Sequence, residues 1–380
     1  MISLYGKVTH LGGALLDRKP IALTTDSSLP LALAQKYALV SDEAIIPEGY
    51  QAVFRKKDTP KSNISEYRLP EELFHLGKGD FISINPENQF TRVLYRGASN
   101  QNSILLTERC NHYCLMCSQP PRNVEDDWIL EETKQLIRML PMSTPELGFT
   151  GGEPTLYGQG FIDLMHLTKA YLPHSSIHIL SNGRSFADID FARAYAEVDH
   201  KDMMLGIPIY SDDPVRHDYV VQAKGAFDET VRGILNLKSL GQKVEIRVVL
   251  HKQTIDRLVS LCEFLARNLL FVDHVALMGL EMTGFTRANI DQLWIDPYDY
   301  KDTLSKATLL LKSYGMNVSI YNHQRCLIND DVLFANRKSI SDWKNEYVPE
   351  CAGCSKLAEC GGFFTSGMLH KYSPNIRPFA

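Results

Sequence analysis

The chain has 380 residues, 40 of them basic and 45 acidic, for a formal net charge of −5. Hydrophobic residues make up 44% and charged residues 22%, ordinary for a folded protein with a sizeable core, and the length suggests two or three domains. The mild acidity argues against a nucleic-acid binder, which carries a basic excess to displace counterions. The most apolar stretch, 258–280, is broken by Glu263, Arg267, Asp273 and His274 and falls short of a membrane span. No basic segment precedes an apolar core at the N-terminus, so a cytoplasmic protein without membrane or nucleic-acid partners is expected.

Residues 1–98 alternate short apolar stretches with turn residues. Strands are predicted at Ile21-Ala22-Leu23, Ala52-Val53-Phe54, Phe81–Ile84 and Phe90–Tyr95, and a helix at 31–38. Pro47, Gly49, Asp58, Pro60, Gly77, Gly79 and Asn85-Pro86 punctuate them, which reads as a small β-rich domain suited to peptide recognition. The polar run 97–102 reads as a linker. From Ser103 the pattern changes to strands at 104–106, 147–150, 177–180, 204–209, 244–250 and 274–279. Amphipathic helices are predicted between them at 130–140, 160–171, 186–197, 226–240 and 254–268. Six strands alternating with helices predict an α/β fold with a parallel sheet, open or curved into a partial barrel, whose chemistry sits at the carboxyl ends of the strands. The third region, 321–380, carries four cysteines, giving a division into 1–98, 99–320 and 321–380.

Eight cysteines stand at 110, 114, 117, 262, 326, 351, 354 and 360. A reducing compartment makes disulfides an unexpected use for them, and seven fall into two groups, which points to metal. Cys262, between Leu261 and Phe264 neighbours of an apolar helix, reads as a buried structural thiol. Cys110-x3-Cys114-x2-Cys117 follows the strand predicted at 104–106. Three thiolates on one loop can hold three irons of a [4Fe–4S] cluster and leave the fourth iron open to a ligand, unlike a ferredoxin. A structural zinc site is the other reading, although zinc wants four protein ligands.

Cys110-x3-Cys114-x2-Cys117 after a first strand, with Gly151-Gly152-Glu153-Pro154 some 35 residues later at the end of a second, resembles the radical SAM superfamily. The resemblance implies a partial (β/α)6 barrel in which the open iron chelates S-adenosylmethionine. Gly151 and Gly152 would let backbone approach the methionine moiety, Glu153 would accept a hydrogen bond from the ligand amino group, and Pro154 completes the turn. The same resemblance places Ser181 and Asn182 at a cofactor-contacting turn, for which a helix cap is the alternative. Arg247 is a candidate for the ligand carboxylate, with a surface salt bridge as the alternative, and Gly279 offers backbone to adenine. Met116, before the third cysteine, stands where the superfamily often has an aromatic residue, and Tyr210-Ser211-Asp212-Asp213 replaces its Ser-x-Asp-Gly turn.

Cys326, Cys351, Cys354 and Cys360 resemble the SPASM or twitch extensions of peptide-modifying radical SAM enzymes. Their number implies one auxiliary [4Fe–4S] cluster, with a four-thiolate zinc site as the alternative. More narrowly, 105–121 resembles the C-type His-Xaa-Ser system radical SAM maturases. That resemblance implies a ribosomally made precursor peptide with His-Xaa-Ser repeats as substrate, an electron donor such as flavodoxin or ferredoxin, and a companion maturase. The implied reaction is reductive cleavage of S-adenosylmethionine to a 5′-deoxyadenosyl radical, which abstracts hydrogen from a C–H bond. A radical SAM enzyme of small-metabolite substrate, or a non-enzymatic iron–sulfur electron-transfer protein, are the alternatives. The sequence names no catalytic acid or radical-quenching residue.

Overall fold

A computed structural model describes residues 3–57, 64–338 and 346–380, so the predicted turn residues Asp58 and Pro60 lie outside the described residues. The chain divides into two compact units. The first comprises Met1–Ile104, Asp127–Leu147 and Ala170–Ser175; the second comprises Leu105–Asp126, Gly148–Lys169 and Ser176–Ala380. Among the described residues no helix is long and apolar enough to cross a membrane.

The first unit is built on short strands: β1 (Tyr5–Lys7), β2 (Thr9–Gly12), β3 (Ile21–Thr24), β4 (Tyr37–Val40), β5 (Val53–Arg55), β6 (Glu66–Arg68), β7 (Phe81–Ile84) and β8 (Phe90–Tyr95). The helix predicted at 31–38 is a single turn, α1 (Leu31–Ala34). Its expected second half is strand β4, where Ala38 and Leu39 are fully buried between β3 and β5. The sheet order is β1-β8-β7-β3-β4-β5-β6-β2. Only Val8 separates β1 from β2, yet they occupy opposite ends of that order, and one residue reaches at most about 7 Å between its neighbours. The sheet therefore curls until its two end strands meet at Val8. Val8, Ile21, Leu23, Phe54, Tyr67 and Ile82 fill the interior.

Helix α2 (Asp127–Met139) belongs to the same unit. Its Glu132 accepts from Ser83 Oγ at 2.5 Å and pairs with Arg92, while Arg18 and Arg92 lie over the Trp128 ring at 4.3 and 4.7 Å. The run 97–102 is a folded corner rather than a linker. Buried Asn102 accepts from Arg96 N at 2.8 Å and returns a bond to Arg96 O at 3.1 Å, supplying backbone partners that a free linker would take from water.

The second sheet has seven strands in sequence order: β9 (Gln101–Leu105), β10 (Glu146–Thr150), β11 (Ser176–Leu180), β12 (Met203–Pro208), β13 (Lys243–Leu250), β14 (His274–Gly279) and β15 (Val318–Tyr321). Strands β11 to β15 pair in parallel. The order never reverses, so right-handed crossovers put the connecting helices on one face and the sheet curves as a partial barrel. It has one strand more than the six expected, because β15 follows α10. The helices are α3 (Gln159–Tyr171), α4 (Ile189–Ala196), α5 (Pro214–Val221), α6 (Ala226–Ser239), α7 (Leu258–Asn268), α8 (Phe285–Ala288), α9 (Ile290–Leu293), α10 (Pro297–Ser313) and α11 (Thr365–His370). Cys262 on α7 is fully buried, and burial pushes its thiol up to about 12.

Arg55 and Glu66, on neighbouring strands of the first unit, are both buried and meet at 2.7 Å, and Arg55 also donates to Glu43 O at 2.8 Å. Arg55→Ala strands a buried carboxylate without its guanidinium. We expect it to cost about 3–5 kcal/mol in urea unfolding followed by circular dichroism, whereas loss of an exposed pair such as Lys169–Asp199 costs at most about 1 kcal/mol.

Candidate functional site

The first cysteine loop leaves β9 and is held at its root by Asp126. That carboxylate accepts from Thr107 Oγ1 at 2.8 Å and Glu108 N at 2.6 Å, and pairs with Arg109 at 2.8 Å. Tyr157 donates to Leu106 O at 3.0 Å from the turn after β10. Further along, Tyr113 N and Leu115 N donate to Val221 O and Val220 O at 3.0 and 2.9 Å, so alternate loop amides satisfy carbonyls at the end of α5. The far side is taken by the segment around α8. Asn289 Nδ2 donates to Leu115 O at 2.9 Å, Thr286 Oγ1 to Met116 O at 3.2 Å and Phe285 N to Cys117 O at 2.9 Å.

The Gly151-Gly152-Glu153 turn at the end of β10 packs on this loop backbone to backbone. A Cβ on Gly151, whose φ is +140°, would lie 2.4 Å from Thr107 O, and one on Gly152 would lie 2.0 Å from Arg109 O. Gly152 N and Glu153 N donate to those two carbonyls at 2.7 and 2.8 Å. Glu153 is fully buried. One oxygen accepts from Thr155 N at 3.0 Å, Thr155 Oγ1 at 2.6 Å and Ser181 Oγ at 2.8 Å, and the other from Asn182 N at 2.6 Å. Burial pushes its carboxyl pKa up, against the pull of these donors. Pro154 opens the short 3-10 turn 154–157 that Glu153 caps. Asn182 ties two loops: Nδ2 donates to Asn111 Oδ1 at 2.6 Å and Oδ1 accepts from Arg184 N at 3.0 Å, so it also caps the turn it begins.

The three thiols share one neighbourhood. Burial, then Cys117 and Cys110, hold the Cys114 thiol well above its ordinary range. Burial likewise carries Cys110 up to about 11 and raises Cys117. Met116 points into an apolar cluster with Tyr210, Val220, Val221 and Leu293, against which Cys114 packs. Tyr210 is buried and its hydroxyl is pushed up by burial and then by Cys114 and Cys117, with Arg247 acting in the opposite sense. Arg247 lies 3.2 Å from Glu245 and 3.2 Å from Met278 Sδ. Glu245 continues to His274 at 2.7 Å, and His274 to Ser319 Oγ at 2.9 Å. Arg247 thus forms an ion pair within a half-buried network rather than on the open surface. Gly279 is where β14 meets the end of β15: a Cβ there would lie 2.4 Å from Asn322 O.

Cys326, Cys351, Cys354 and Cys360 line one cavity together with Tyr347, Phe363 and Phe379. Tyr347 donates to Leu357 O and Cys360 O, both at 2.9 Å, and Phe379 N approaches Cys354 Sγ at 3.4 Å. Burial and the neighbouring thiols, against the downward pull of backbone hydrogen bonds, leave Cys326 and Cys351 above the ordinary thiol range. Among the described residues no group of three or more His, Cys, Asp or Glu side chains stands at the spacing that holds a single metal ion.

Residues 104–265 match the family described as the Radical SAM superfamily. That segment contains Cys110, Cys114, Cys117, Gly151–Glu153, Ser181, Asn182 and Arg247 in the arrangement just given. It is a radical SAM domain. Over 165 residues the chain is 30% identical to the Fe-coproporphyrin III synthase of Methanosarcina barkeri, covering 42% of this chain and 39% of that protein. Over 164 residues it is 27% identical to a probable GTP 3',8-cyclase of Methanocella arvoryzae, covering 41% and 51%. The chain therefore spans about half or less of these relatives' lengths. Streptococcus suis SuiB, solved with S-adenosylmethionine, aligns at 16% identity and a TM-score of 0.48 over 60% of this chain and 51% of that one.

A radical SAM domain implies a [4Fe–4S] cluster and S-adenosylmethionine. The donor set fits the cluster in kind: three thiols stand on one loop clamped from both sides, near enough for Cys110 and Cys117 to act on Cys114, with apolar Met116 and Leu115 packed in one cluster. The four cysteines of the C-terminal extension lie outside the matched segment. Sequence reasoning missed Asp126, Tyr157 and Asn289. Asp126 closes the loop only 9 residues after Cys117, but Asn289 acts from 174 residues away and carried no local signal.

Four buried histidines surround the strand ends, and burial lowers their pKa values to about 3 for His112 and about 4 for His217, His251 and His323. Each stays neutral in the folded chain while the unfolded chain takes up a proton near pH 6.5, so stability falls as pH drops from 6.5 towards 4. The slope is about 1.4 kcal/mol per pH unit for each histidine. Neither ring nitrogen of fully buried His251 has a hydrogen-bond partner among the described residues. His251→Phe should remove one histidine's share of the slope between pH 4 and 6, measured by urea unfolding at a series of pH values.

Proposed function

We propose that the protein is a peptide-modifying radical SAM enzyme. Cys110, Cys114 and Cys117 would hold the cluster, and Cys326, Cys351, Cys354 and Cys360 an auxiliary one. Bound together, the first cluster and S-adenosylmethionine supply a 5′-deoxyadenosyl radical that abstracts hydrogen from an unactivated C–H bond. The observation that carries this reading is the clamped three-thiol loop against the Gly151–Glu153 turn at the carboxyl ends of the strands. In this proposal Arg247 holds the carboxylate of S-adenosylmethionine, oriented by Glu245. Ser181, Asn182 and Glu153 shape the turn facing it, while Met116 and Gly279 set the apolar wall and the adenine side.

The substrate we infer is a ribosomally made peptide of the His-Xaa-Ser type, supported by the resemblance across 105–121 and by the cysteine-rich extension. Residues 1–98 would read the precursor, 99–320 perform the chemistry and 321–380 carry the auxiliary cluster. Electrons would come from a flavodoxin or ferredoxin, and a companion maturase would act on the same precursor. A small-metabolite substrate is the second reading, favoured by the two relatives that align over 165 and 164 residues.

The decisive assay is anaerobic reconstitution with reductant and S-adenosylmethionine, quantifying 5′-deoxyadenosine with and without a His-Xaa-Ser repeat peptide. We expect peptide-stimulated cleavage with a defined change in peptide mass. Cys110→Ala should abolish cleavage, whereas Cys354→Ala should lose about half of the iron taken up and keep the first cluster's spectrum. Cleavage indifferent to peptide would move the substrate to the small-metabolite class.

A further inference from the structure

A second cavity of the C-terminal unit is assigned no role by the cysteine chemistry. Its floor is formed by the carboxyl ends of three neighbouring strands, through Leu250 at the end of β13, Gly279 at the end of β14 and Asn322 just after β15, and residues between 361 and 373 line its other side. In a barrel of this kind that end of the sheet is where ligands bind. Its position relative to the cysteines is fixed by shared walls. Leu280 lines the cavity and packs in the cluster that holds Cys114 and Met116. Gln324 and Phe363 line both this cavity and the one surrounded by the other four cysteines.

The cavity is built rather than left over. Asn322 adopts φ 57°, a left-handed conformation that costs a non-glycine residue energy, directly at the floor. Gln324 Nε2 donates to Gly362 O at 2.7 Å in a buried bond that ties the floor to the opposite wall. The lining is aromatic: Trp294, Tyr300, Phe363, Phe364 and Tyr372. Two of these turn their hydroxyls away. His323 Nδ1–H donates to Tyr321 O at 2.8 Å, which leaves Nε2 to accept from Tyr300 OH at 2.8 Å, and Tyr372 OH donates to Glu350 at 3.3 Å. The rings therefore offer apolar faces, the surface on which another planar ring stacks. Lys371 is the one charged residue among the described lining. Its ammonium sits 4.2 Å from the Trp294 ring centre at the edge of the cavity.

We propose that this cavity binds an aromatic residue of the substrate with an acidic group beside it, the ring between the aromatic walls and the carboxylate on Lys371. The assignment rests on the peptide reading above and names the side-chain class that reading leaves open. Held there, the residue lies between the two cysteine groups, with Leu280 separating it from the first and Phe363 from the second.

The test is isothermal titration of the anaerobically reconstituted full chain with N-acetyl-Asp-Tyr-amide, N-acetyl-Asn-Tyr-amide and N-acetyl-Asp-Leu-amide. The first should bind at least about tenfold more tightly than either of the others, the scale of one good charge contact or one buried ring. Lys371→Met should erase the preference for Asp over Asn and keep that for Tyr over Leu, Lys371→Arg should keep both, and Trp294→Leu should weaken the preference for Tyr. Equal affinity for the three dipeptides, no binding by the wild-type chain up to 20 mM (about 2 kcal/mol of binding free energy), or an acid preference that survives Lys371→Met, overturns the assignment. Discriminating binding without peptide-stimulated 5′-deoxyadenosine keeps the cavity and removes the maturase reading. Peptide-stimulated cleavage without discrimination removes the cavity assignment alone.

Discussion

Cys110–Cys117 must present three thiols to one point without regular structure of its own, and the C-terminal unit is organised around that demand. Fixing a residue's backbone costs about 1–2 kcal/mol in conformational entropy, and a single hydrogen bond returns only about 0.5–1.5 kcal/mol. A loop of this length is therefore held only if most of its residues are bonded. Here the partners come from four places: Asp126 at the root, the final carbonyls of α5, the segment Phe285–Asn289, and the Gly152-Glu153 backbone. None is a residue of the Cys-x3-Cys-x2-Cys pattern. The clamp holds the loop that carries the three cysteines.

The Gly-Gly-Glu sequence follows from the same demand. The β10 turn can reach the loop carbonyls only where no Cβ intervenes, which is why both positions are glycine. Once the turn is that close, the next side chain falls into the interior. A carboxylate is tolerated there because four donors from 155, 181 and 182 converge on it. Glu153 thereby joins the ends of β10 and β11, and Asn182 carries the connection on to Asn111 inside the loop. Removing the carboxylate would leave buried donors on two separate loops without an acceptor, so its structural demand is at least as strong as any contact it makes with a ligand.

Much of this was legible in the sequence, for reasons specific to each element. Strands β7, β8 and β13 are rich in β-branched or aromatic residues and have Gly or Asn within two residues of an end, so their pattern survives without context. The two cysteine groups were legible because thiols have few other uses at such spacing. The second half of the helix predicted at 31–38 was wrong because Tyr37–Val40 is captured between β3 and β5, and tertiary pairing outweighs propensity. Helix α10 and strand β15 went unread even though Asp296-Pro297 is a capping signal, with Asp296 accepting from Tyr298 N at 2.9 Å. Closure of the N-terminal sheet was not readable, since it depends on Val8 joining strands from opposite ends of a sheet order that no local pattern encodes. Nor was the Glu245–His274–Ser319 network, whose members are strand residues on three strands and look like ordinary polar alternation.

The polar groups near the strand ends are matched so that the interior carries little net charge before any cofactor arrives. Arg247 is offset by Glu245, burial keeps the nearby histidines neutral, and the three thiols and Tyr210 are all biased towards their protonated forms. Thiolates are what bind iron, so assembly of a cluster on Cys110, Cys114 and Cys117 must expel three protons from a place that favours keeping them. The iron's own positive charge has to supply that driving force, because the side chains around the loop do not. Tyr210 remains the acidic O–H nearest in influence to those thiols. Anionic sulfur beside it raises its hydroxyl further, so the phenol stays a donor at the edge of the site when the loop is loaded.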